Sequence, residues 1–232
     1  MRPLVKPWIK RSAGVEQVSE LTTNRLSVYL RCVEKLDGAG VTTVSSRALA
    51  TQFRLNAALI RKDLACFGEF GVRGVGYGVK ELKRHLREIL GIDRTIKVAI
   101  MGAGNLGLAL AGYPGFRQEG FEIVALFDNR PSKIGERSRT GVPIHDVRRL
   151  TSVTRREGIG IAVLAVPASA AQSVANRVVR AGIKAILNFS PGAIEAPSDV
   201  KLKSVDLTVS LESLSFHLAR GDDGEASGPS GA

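Results

Sequence analysis

The chain has 232 residues, of which 44% are hydrophobic and 24% charged, with 33 Lys and Arg against 22 Asp and Glu. These proportions are typical of a globular protein of one or two domains and exclude a chain that is mainly disordered. No apolar run reaches the roughly 18 to 20 residues that cross a bilayer, and no secretory leader can be drawn, so we expect no membrane segment and a cytoplasmic location.

The positive charge is concentrated in the first part of the chain. Residues 1–92 hold sixteen Lys or Arg against eight Asp or Glu, whereas residues 93–232 hold seventeen against fourteen. A strongly basic domain favours an anionic polymer such as DNA as its partner, although charge that only keeps a protein soluble gives the same count. We place the domain boundary after residue 92, where Gly-Ile-Asp ends a helical pattern, and expect a flexible N-terminus over 1–19.

The first domain, 20–92, is predicted to contain a helix-turn-helix. Apolar spacing predicts a first helix over 26–36, and capping residues precede a short second helix over 47–53 and a third through 59–64. A turn of three or four residues between two short helices is typical of the motif. Ile60 and Leu64 then face the core, which leaves Arg61 and Lys62 outside. We assign DNA contacts to Ser46, Arg61 and Lys62, with a solvated basic face as the alternative.

A glycine-rich segment follows the third helix. Glycines at 68, 71, 74, 76 and 78 predict a tight β-turn or hairpin, with Arg73 in its middle. Together with the helix-turn-helix, this predicts a winged-helix domain whose third helix lies in the major groove while Arg73 reaches the minor groove. Tyr77 is a further candidate for DNA contact, although packing at the base of the hairpin is the simpler role. A helix over 79–90 then leads to the second domain.

The second domain, 93–205, opens with a strand over 97–101 that runs directly into a GxGxxG turn and a helix. In this context the glycines allow the tight turn, the close approach of a pyrophosphate and the packing of helix on strand. The helix N-terminus offers free amides to the phosphates. We therefore assign the pyrophosphate site to Gly102, Ala103, Gly104, Asn105, Leu106 and Gly107.

A second strand over 121–127 ends in Asp128, which lies 21 residues beyond Gly107. A carboxylate at this place can accept hydrogen bonds from both hydroxyls of the adenosine ribose, and its charge disfavours a 2′-phosphate. The sequence therefore favours NAD(H) over NADP(H) as the cofactor. Arg130 and Lys133 follow closely and keep the other outcome open, because a cation there could hold the phosphate.

Alternating strands and helices continue to the end of the domain. Strands over 161–166 and 184–187, with helices over 146–157 and 168–181, predict a Rossmann-like, doubly wound parallel sheet. Pro167 and Asn188 directly follow two of these strands, where ligands bind in such sheets, so both are candidates to line the nicotinamide pocket. Turn formation is the alternative role for each.

No catalytic group stands out beside this site. Tyr113 is the nearest candidate for proton transfer, yet no Lys follows four residues later, so we predict a site that binds the cofactor without turning it over. Cys32, Cys66 and the three histidines match no metal-ligand pattern, so we predict no metal site and expect both cysteines to be buried. The alternatives are an NAD(P)-dependent oxidoreductase with a basic N-terminal assembly domain, and a nucleotide- or CoA-binding regulatory domain.

A C-terminal docking helix is predicted over 206–220. Asp206 is a suitable cap, and leucines at 207, 211, 214 and 218 form one stripe that must pack on its own domain or on a partner subunit. The tail over 221–232 is rich in Gly, Ser, Asp and Pro and is expected to be disordered.

Two sets of motifs, VSSRALA with IRKDLACFGEFGVRGVGY and VAIMGAGNLGLALAGYPGF with FEIVALFDNRPSKIG, closely resemble the Rex family of redox-sensing transcriptional repressors over about residues 20–220. The resemblance implies a homodimer that binds an inverted-repeat operator in double-stranded DNA through its winged helices and is released when NADH binds. It also implies exchange of the C-terminal helix between subunits.

The resemblance further implies roles for single residues. It places residues 102–107 on the pyrophosphate, Asp128 on the ribose and Tyr113 near the nicotinamide, and it suggests that Arg31 and Asp206 form a switchable ion pair. Three places depart from the family pattern: Ala65-Cys66, Gly78 and Arg130. We expect the first two to affect operator preference and Arg130 to affect cofactor discrimination.

Overall fold

The computed structural model describes residues 18–72 and 74–221. The chain divides into two compact units between Arg94 and Thr95, two residues beyond the boundary placed from the sequence. We call them the N-terminal unit and the sheet unit. The predictions for residues 1–17, for Arg73 and for the tail beyond residue 221 lie outside the described residues.

The N-terminal unit is built from helices that begin at good capping residues. The hydroxyls of Ser19 and Ser45 and the amide oxygen of Asn56 each accept a hydrogen bond from the first turn of the helix that follows. The first helix begins six residues earlier than predicted, because its first turns are polar and carry no apolar period. The elements described in this unit are α1 (Glu20–Gly38), β1 (Thr43–Val44), α2 (Ser46–Phe53), α3 (Ala57–Ala65), β2 (Tyr77–Gly78) and α4 (Val79–Ile89).

One core holds these helices together. Aliphatic side chains of α1, α2, α3 and α4 fill it, and the fully buried ones include Val33, Leu49, Ile60 and Leu86. The glycine-rich segment forms a tight turn as predicted, since Val72 and Gly76 make an antiparallel bridge with two backbone hydrogen bonds. The strand β2 that follows pairs antiparallel with β1. The sequence missed β1 because a strand of two residues has no detectable period.

The sheet unit contains a six-stranded parallel sheet in the order β5-β4-β3-β6-β7-β8. This is the classic doubly wound order, with a switch point where the first and fourth strands of the sheet lie side by side. The strands are β3 (Ile96–Met101), β4 (Phe121–Asp128), β5 (Ile144–Asp146), β6 (Ile161–Leu164), β7 (Ala185–Asn188) and β8 (Lys201–Ser204). The predicted α/β class, with a doubly wound parallel sheet after a helical domain, is confirmed.

Helices cover both faces of this sheet, and the alternation along β3 shows how. Val98 and Ile100 pack on the side of α5, whereas Ala99 and Met101 pack on the side of α7 and α8. The helices of the unit are α5 (Asn105–Ala111), α6 (Pro114–Gln118), α7 (Leu150–Glu157), α8 (Ala168–Arg180) and α9 (Leu207–Gly221). The sequence missed β5, β8 and α6, and the helix predicted over 146–157 is a 3-10 turn, Val147–Arg149, followed by α7.

The last helix, α9, is exposed over residues 207–219. Asp206 caps it, since its Oδ1 accepts a hydrogen bond from the Thr208 amide at 2.8 Å. Six large apolar side chains of α9 are more than half exposed: Leu207, Val209, Leu211, Leu214, Phe216 and Leu218. Between residues 18 and 221, Arg73 aside, no helix is both long and apolar enough to cross a membrane.

Candidate nucleotide and nucleic-acid sites

The glycine-rich turn lies at the switch point of the sheet, between the carboxyl ends of β3 and β6. Gly102 has a φ of +103°, and a side chain there would collide with the Ala165 carbonyl. A side chain on Gly107 would collide with the Gly102 carbonyl. Gly104 differs, because its backbone suits any residue and nothing lies within 4 Å of a side chain built there. Two of the three glycines are therefore required by the fold, and the third leaves open space in front of the turn.

Asp128 ends β4 beside this turn. It is 7% exposed, and its carboxylate accepts hydrogen bonds from the backbone N–H groups of Ala103 and Arg130, both at 2.9 Å. The Arg130 guanidinium also donates to it, through Nε at 3.1 Å and Nη2 at 3.0 Å. Burial by itself raises the pKa of Asp128, but these hydrogen bonds outweigh it and lower the pKa to about 2. Asp128 is thus an anion at neutral pH, and Arg130 covers it.

The remaining candidates around the turn differ in exposure. Asn105 and Leu106 are exposed on α5, and the Lys133 ammonium donates a hydrogen bond to the Ala103 carbonyl. Tyr113 precedes α6, is 57% exposed and contacts the Phe116 ring edge-on. Asn105 and Leu106 therefore lie in the first turn of α5, next to the glycine-rich turn, whereas Tyr113 follows the last turn of that helix.

Pro167 and Asn188 follow β6 and β7 as expected, but they are not equivalent. Pro167 is exposed at the start of α8. Asn188 is fully buried: its Oδ1 accepts from the Ser190 amide, and its Nδ2 donates to the Ser190 carbonyl and the Ser204 hydroxyl. The Asn188 side chain therefore holds the turn after β7, and its contact with a cofactor stays a prediction.

In the N-terminal unit, α2 and α3 form the helix-turn-helix, joined by Arg54 in the left-handed conformation. As predicted, Arg61 and Lys62 are exposed while Ile60 is buried. The structure brings two of the DNA candidates together, because the Arg61 guanidinium donates to the Ser46 hydroxyl at 3.0 Å. A shallow groove of about 500 Å³ separates the two helices, lined by Arg47, Ala50, Thr51, Leu55, Asn56, Ala57, Ala58 and Arg61.

Tyr77 packs at the base of the hairpin rather than standing out from it. The ring is half-buried against the core of the N-terminal unit. Burial raises the pKa of its phenol, and the nearby Arg61 opposes that rise.

One expectation for this region is wrong: Cys66 is exposed, because it ends α3 on the side away from the core, whereas Cys32 is buried.

Sequence reasoning missed the residue that holds the exposed face of α3 in place. Asp63 lies on the inner side of α3 and is 3% exposed. The Arg25 guanidinium of α1 donates to both of its carboxylate oxygens, at 2.6 and 2.7 Å, and the buried Tyr29 hydroxyl donates to it at 2.9 Å. The signal in the sequence was an acidic residue three positions after Ile60, on the apolar face of a basic helix.

The two residues predicted to couple the domains lie in different units. Arg31 is exposed on α1 in the N-terminal unit, and Asp206 is exposed at the start of α9 in the sheet unit. Within 18–72 and 74–221, no group of three or more His, Cys, Asp or Glu side chains could hold a metal ion.

Fold and sites together define a class of protein, one that joins a basic helix-turn-helix to a dinucleotide-type site at the switch point of a parallel sheet. The family model described as "CoA binding domain" matches residues 93–192, and the one described as "Putative DNA-binding protein N-terminus" matches residues 17–65. The first model describes a nucleotide-binding domain and the second a DNA-binding segment, in the order that the sequence predicts.

Curated relatives and solved structures narrow this class. The redox-sensing transcriptional repressor Rex of Carboxydothermus hydrogenoformans is 48% identical over 88% of this chain and 98% of its own length. A crystal structure of RSP in complex with β-NAD+ and operator DNA matches with a TM-score of 0.84 and 40% identity, over 90% of this chain and 99% of that one. The structure of RSP with β-NADH matches with a TM-score of 0.78 and 40% identity, over 89% and 96%.

This chain belongs to the Rex family of redox-sensing transcriptional repressors. The family resemblance read from the sequence is confirmed. Because the relatives are named as repressors, the prediction of a cofactor-sensing transcription factor is favoured over the oxidoreductase alternative.

Proposed function

We propose that this chain is a redox-sensing transcriptional repressor. As a homodimer it binds an inverted-repeat operator through α3 and the hairpin of each N-terminal unit, and NADH bound at the sheet unit releases it from DNA. It acts where the DNA is, in the cytoplasm. The observation that carries the proposal is the joining of both sites in one chain that matches, over nine-tenths of its length, a structure described with NAD+ and operator DNA.

The nucleotide site is proposed at the Gly102–Gly107 turn. The open space before Gly104 suits a pyrophosphate, and Asp128 suits the adenosine ribose. NAD(H) would supply the redox state that the protein reports, and this chain binds and orients it without reacting. Pro167 and Tyr113 are exposed and are proposed to lie toward the nicotinamide.

The DNA site is proposed on the outer face of α3. Arg61 and Lys62 present cations there, and the Ser46 hydroxyl orients the Arg61 guanidinium. The buried Asp63 pair fixes the face on which these cations stand. Two such faces in a symmetric dimer are expected to contact half-sites about one helical turn apart, or a multiple of it.

The dimer is proposed to form through α9. Six exposed apolar side chains on one helix form a surface that water does not stabilise, and a second subunit would cover it. Replacing Leu211 and Leu214 together by Ser is expected to shift the sedimentation coefficient from dimer to monomer. The Lys201→Ser variant at an exposed strand position is the control and is expected to stay dimeric.

For NADH to release DNA, it must bind the DNA-incompetent arrangement more tightly than the competent one. A change from mostly bound to mostly free requires a difference of about 5 kcal/mol. Arg31 and Asp206 are proposed to transmit this difference. Replacing either by Ala is expected to leave the DNA-free protein able to bind NADH, while NADH no longer weakens DNA binding and DNA no longer weakens NADH binding.

The decisive test is the fluorescence anisotropy of a labelled inverted-repeat fragment at fixed salt, titrated with NADH, NAD+, NADPH and CoA. We expect tight, sequence-dependent binding that NADH abolishes and CoA does not change. Release by CoA alone would favour the CoA-binding alternative, and steady oxidation of NADH would favour the oxidoreductase. Binding that ignores every nucleotide would overturn redox sensing.

Two variants test the two sites separately. Gly104→Val is expected to fold, because its backbone and surroundings admit a side chain, and to lose the response to NADH while binding DNA. Arg61→Ala is expected to weaken DNA binding about tenfold or more without changing NADH affinity. Arg84→Ala, an exposed arginine on α4, is the matched control for charge. Equal loss of both activities in either variant would indicate misfolding instead.

A further inference from the structure

The Asp128 carboxylate has no acceptor position left. Its Oδ1 accepts from the backbone N–H and the Nε of Arg130, and its Oδ2 accepts from the Ala103 N–H and the Nη2 of Arg130. A carboxylate offers about four lone-pair positions, and all four are used here. A ribose therefore cannot donate to Asp128 while the guanidinium is in place.

The two hydrogen bonds from the Arg130 side chain can break easily, whereas the two from backbone amides cannot. The two backbone donors belong to the turn after β3 and the loop after β4, which hold the strand ends in place. The Arg130 side chain is 53% exposed, whereas the Asp128 side chain is 5% exposed. When the guanidinium moves into water, one position becomes free on each carboxylate oxygen. Two free positions match the two hydroxyls of a ribose.

The displaced guanidinium stays near the ribose, because Arg130 is only two residues from Asp128. Two further charged groups at this edge add no unpaired negative charge. Asp146, the neighbour of Asp128 across the β4–β5 register, is paired with Arg148, and the Lys133 ammonium lies on the Ala103 carbonyl. A phosphate on the 2′-oxygen would therefore meet two cations, Arg130 and Lys133, against the one carboxylate of Asp128.

We propose that Arg130 is the specificity-determining residue for the adenosine end of the cofactor. While its guanidinium is hydrogen-bonded to Asp128, it competes with the ribose of NADH. Once displaced, the guanidinium binds the 2′-phosphate of NADPH. The chain then separates NADH from NADPH less sharply than Asp128 alone would. This inference rests on the proposed function, since it concerns the same nucleotide site.

The test is isothermal titration of the full chain with NADH and with NADPH, for the wild type, Arg130→Ala and Arg130→Lys. In Arg130→Ala the Kd for NADH is expected to fall about threefold, because the half-exposed guanidinium no longer competes with the ribose for Asp128. The Kd for NADPH is expected to rise about tenfold or more, because a charged hydrogen bond to phosphate is lost. Arg130→Lys keeps a cation but cannot donate to both oxygens of Asp128 as the guanidinium does. Its NADPH affinity is therefore expected to stay near that of the wild type.

Arg177→Ala, an exposed arginine on α8, is the control for net charge and is expected to change neither Kd. The opposite movement of the two Kd values in Arg130→Ala would support the proposal. Movement in the same direction, or values equal to those of the control, would overturn it and leave the proposed function standing. A wild type that binds neither nucleotide would overturn the proposed function, and this inference with it.

Discussion

Each unit buries one carboxylate against an arginine, and the two pairs are built differently. In the N-terminal unit Asp63 is gripped by Arg25, 38 residues earlier, and by the Tyr29 hydroxyl, so the pair joins α3 to α1. In the sheet unit Asp128 is covered by the guanidinium of Arg130, two residues later, and its other hydrogen bonds come from the backbone amides of Ala103 and Arg130. The first pair ties together distant parts of the chain, whereas the second is local and can open without moving the fold.

The largest expected effect is on the stability of the N-terminal unit. Asp63→Ala is expected to lower its free energy of unfolding by about 3 kcal/mol, because it leaves the buried Tyr29 hydroxyl unpaired and releases α3 from α1. Urea denaturation, with hydrogen exchange of peptides from α1 and α3, measures this. Asp37→Ala is the control, since its pair with Lys83 is more exposed and is expected to contribute much less. Equal losses would contradict the tying role of Asp63.

Asp128→Ala is expected to lose less stability than Asp63→Ala does, and to lose cofactor affinity instead. The variant is expected to lose only about 1 kcal/mol of stability, from the buried Ala103 amide that loses its acceptor. Its affinity for NADH is expected to fall about tenfold or more, because the ribose hydroxyls lose a charged acceptor. The same titration and denaturation experiments measure both quantities. A stability loss as large as that of Asp63→Ala would remove the distinction between the pairs.

Acid is expected to weaken both pairs. Each carboxyl has a folded pKa below its ordinary value, that of Asp128 being about 2, so its contribution is present above the unfolded pKa near 4 and is lost as the pH falls. Between pH 5 and pH 3.5 the expected loss is less than about 1 kcal/mol for each carboxyl. Denaturation midpoints at several pH values measure it. Asp63→Asn and Asp128→Asn are each expected to flatten the dependence, and an unchanged slope would contradict the assignment.

The smallest effect is expected at the third pair, Asp146 with Arg148. It has the same spacing of two residues as Asp128 with Arg130, but the Arg148 side chain is 83% exposed. Arg148→Ala is therefore expected to leave the denaturation midpoint unchanged within error. A clear shift would show that local ion pairs at these strand ends stabilise the sheet, and would contradict the small contribution expected of them.

The sequence predicted what depends on short spacing. Helical periodicity placed Ile60 inside and Arg61 outside, and the strand-turn-helix context of the GxGxxG motif placed Gly102 and Asp128 at one edge of the sheet. It did not predict what depends on distant partners. The buried Asp63 needs Arg25 from another helix, and β1 acquires its partner 33 residues later, so no local pattern announces either.

Arg130 lies between these two cases. The sequence showed that Arg130 follows the carboxylate proposed to bind the ribose, and that a cation there leaves the choice between NADH and NADPH open. What the sequence could not contain is the direction of the guanidinium, which folds back on Asp128 through two hydrogen bonds. Side-chain direction follows from the loop after β4 and from Ala103 across the turn, and both are set by the packed sheet.

The helix-turn-helix is not the part of the chain that can stand alone. A protein cut after residue 65 would keep α1, α2 and α3 but lose β2 and the side chains of Val79, Leu82 and Leu86, which are at most 1% exposed. Burial of each such side chain contributes about 1.5 to 3 kcal/mol, against a net stability of about 5 to 15 kcal/mol for a whole domain. The shortest fragment expected to fold and bind DNA by itself therefore extends through α4, because α4 completes the core on which the helix-turn-helix packs.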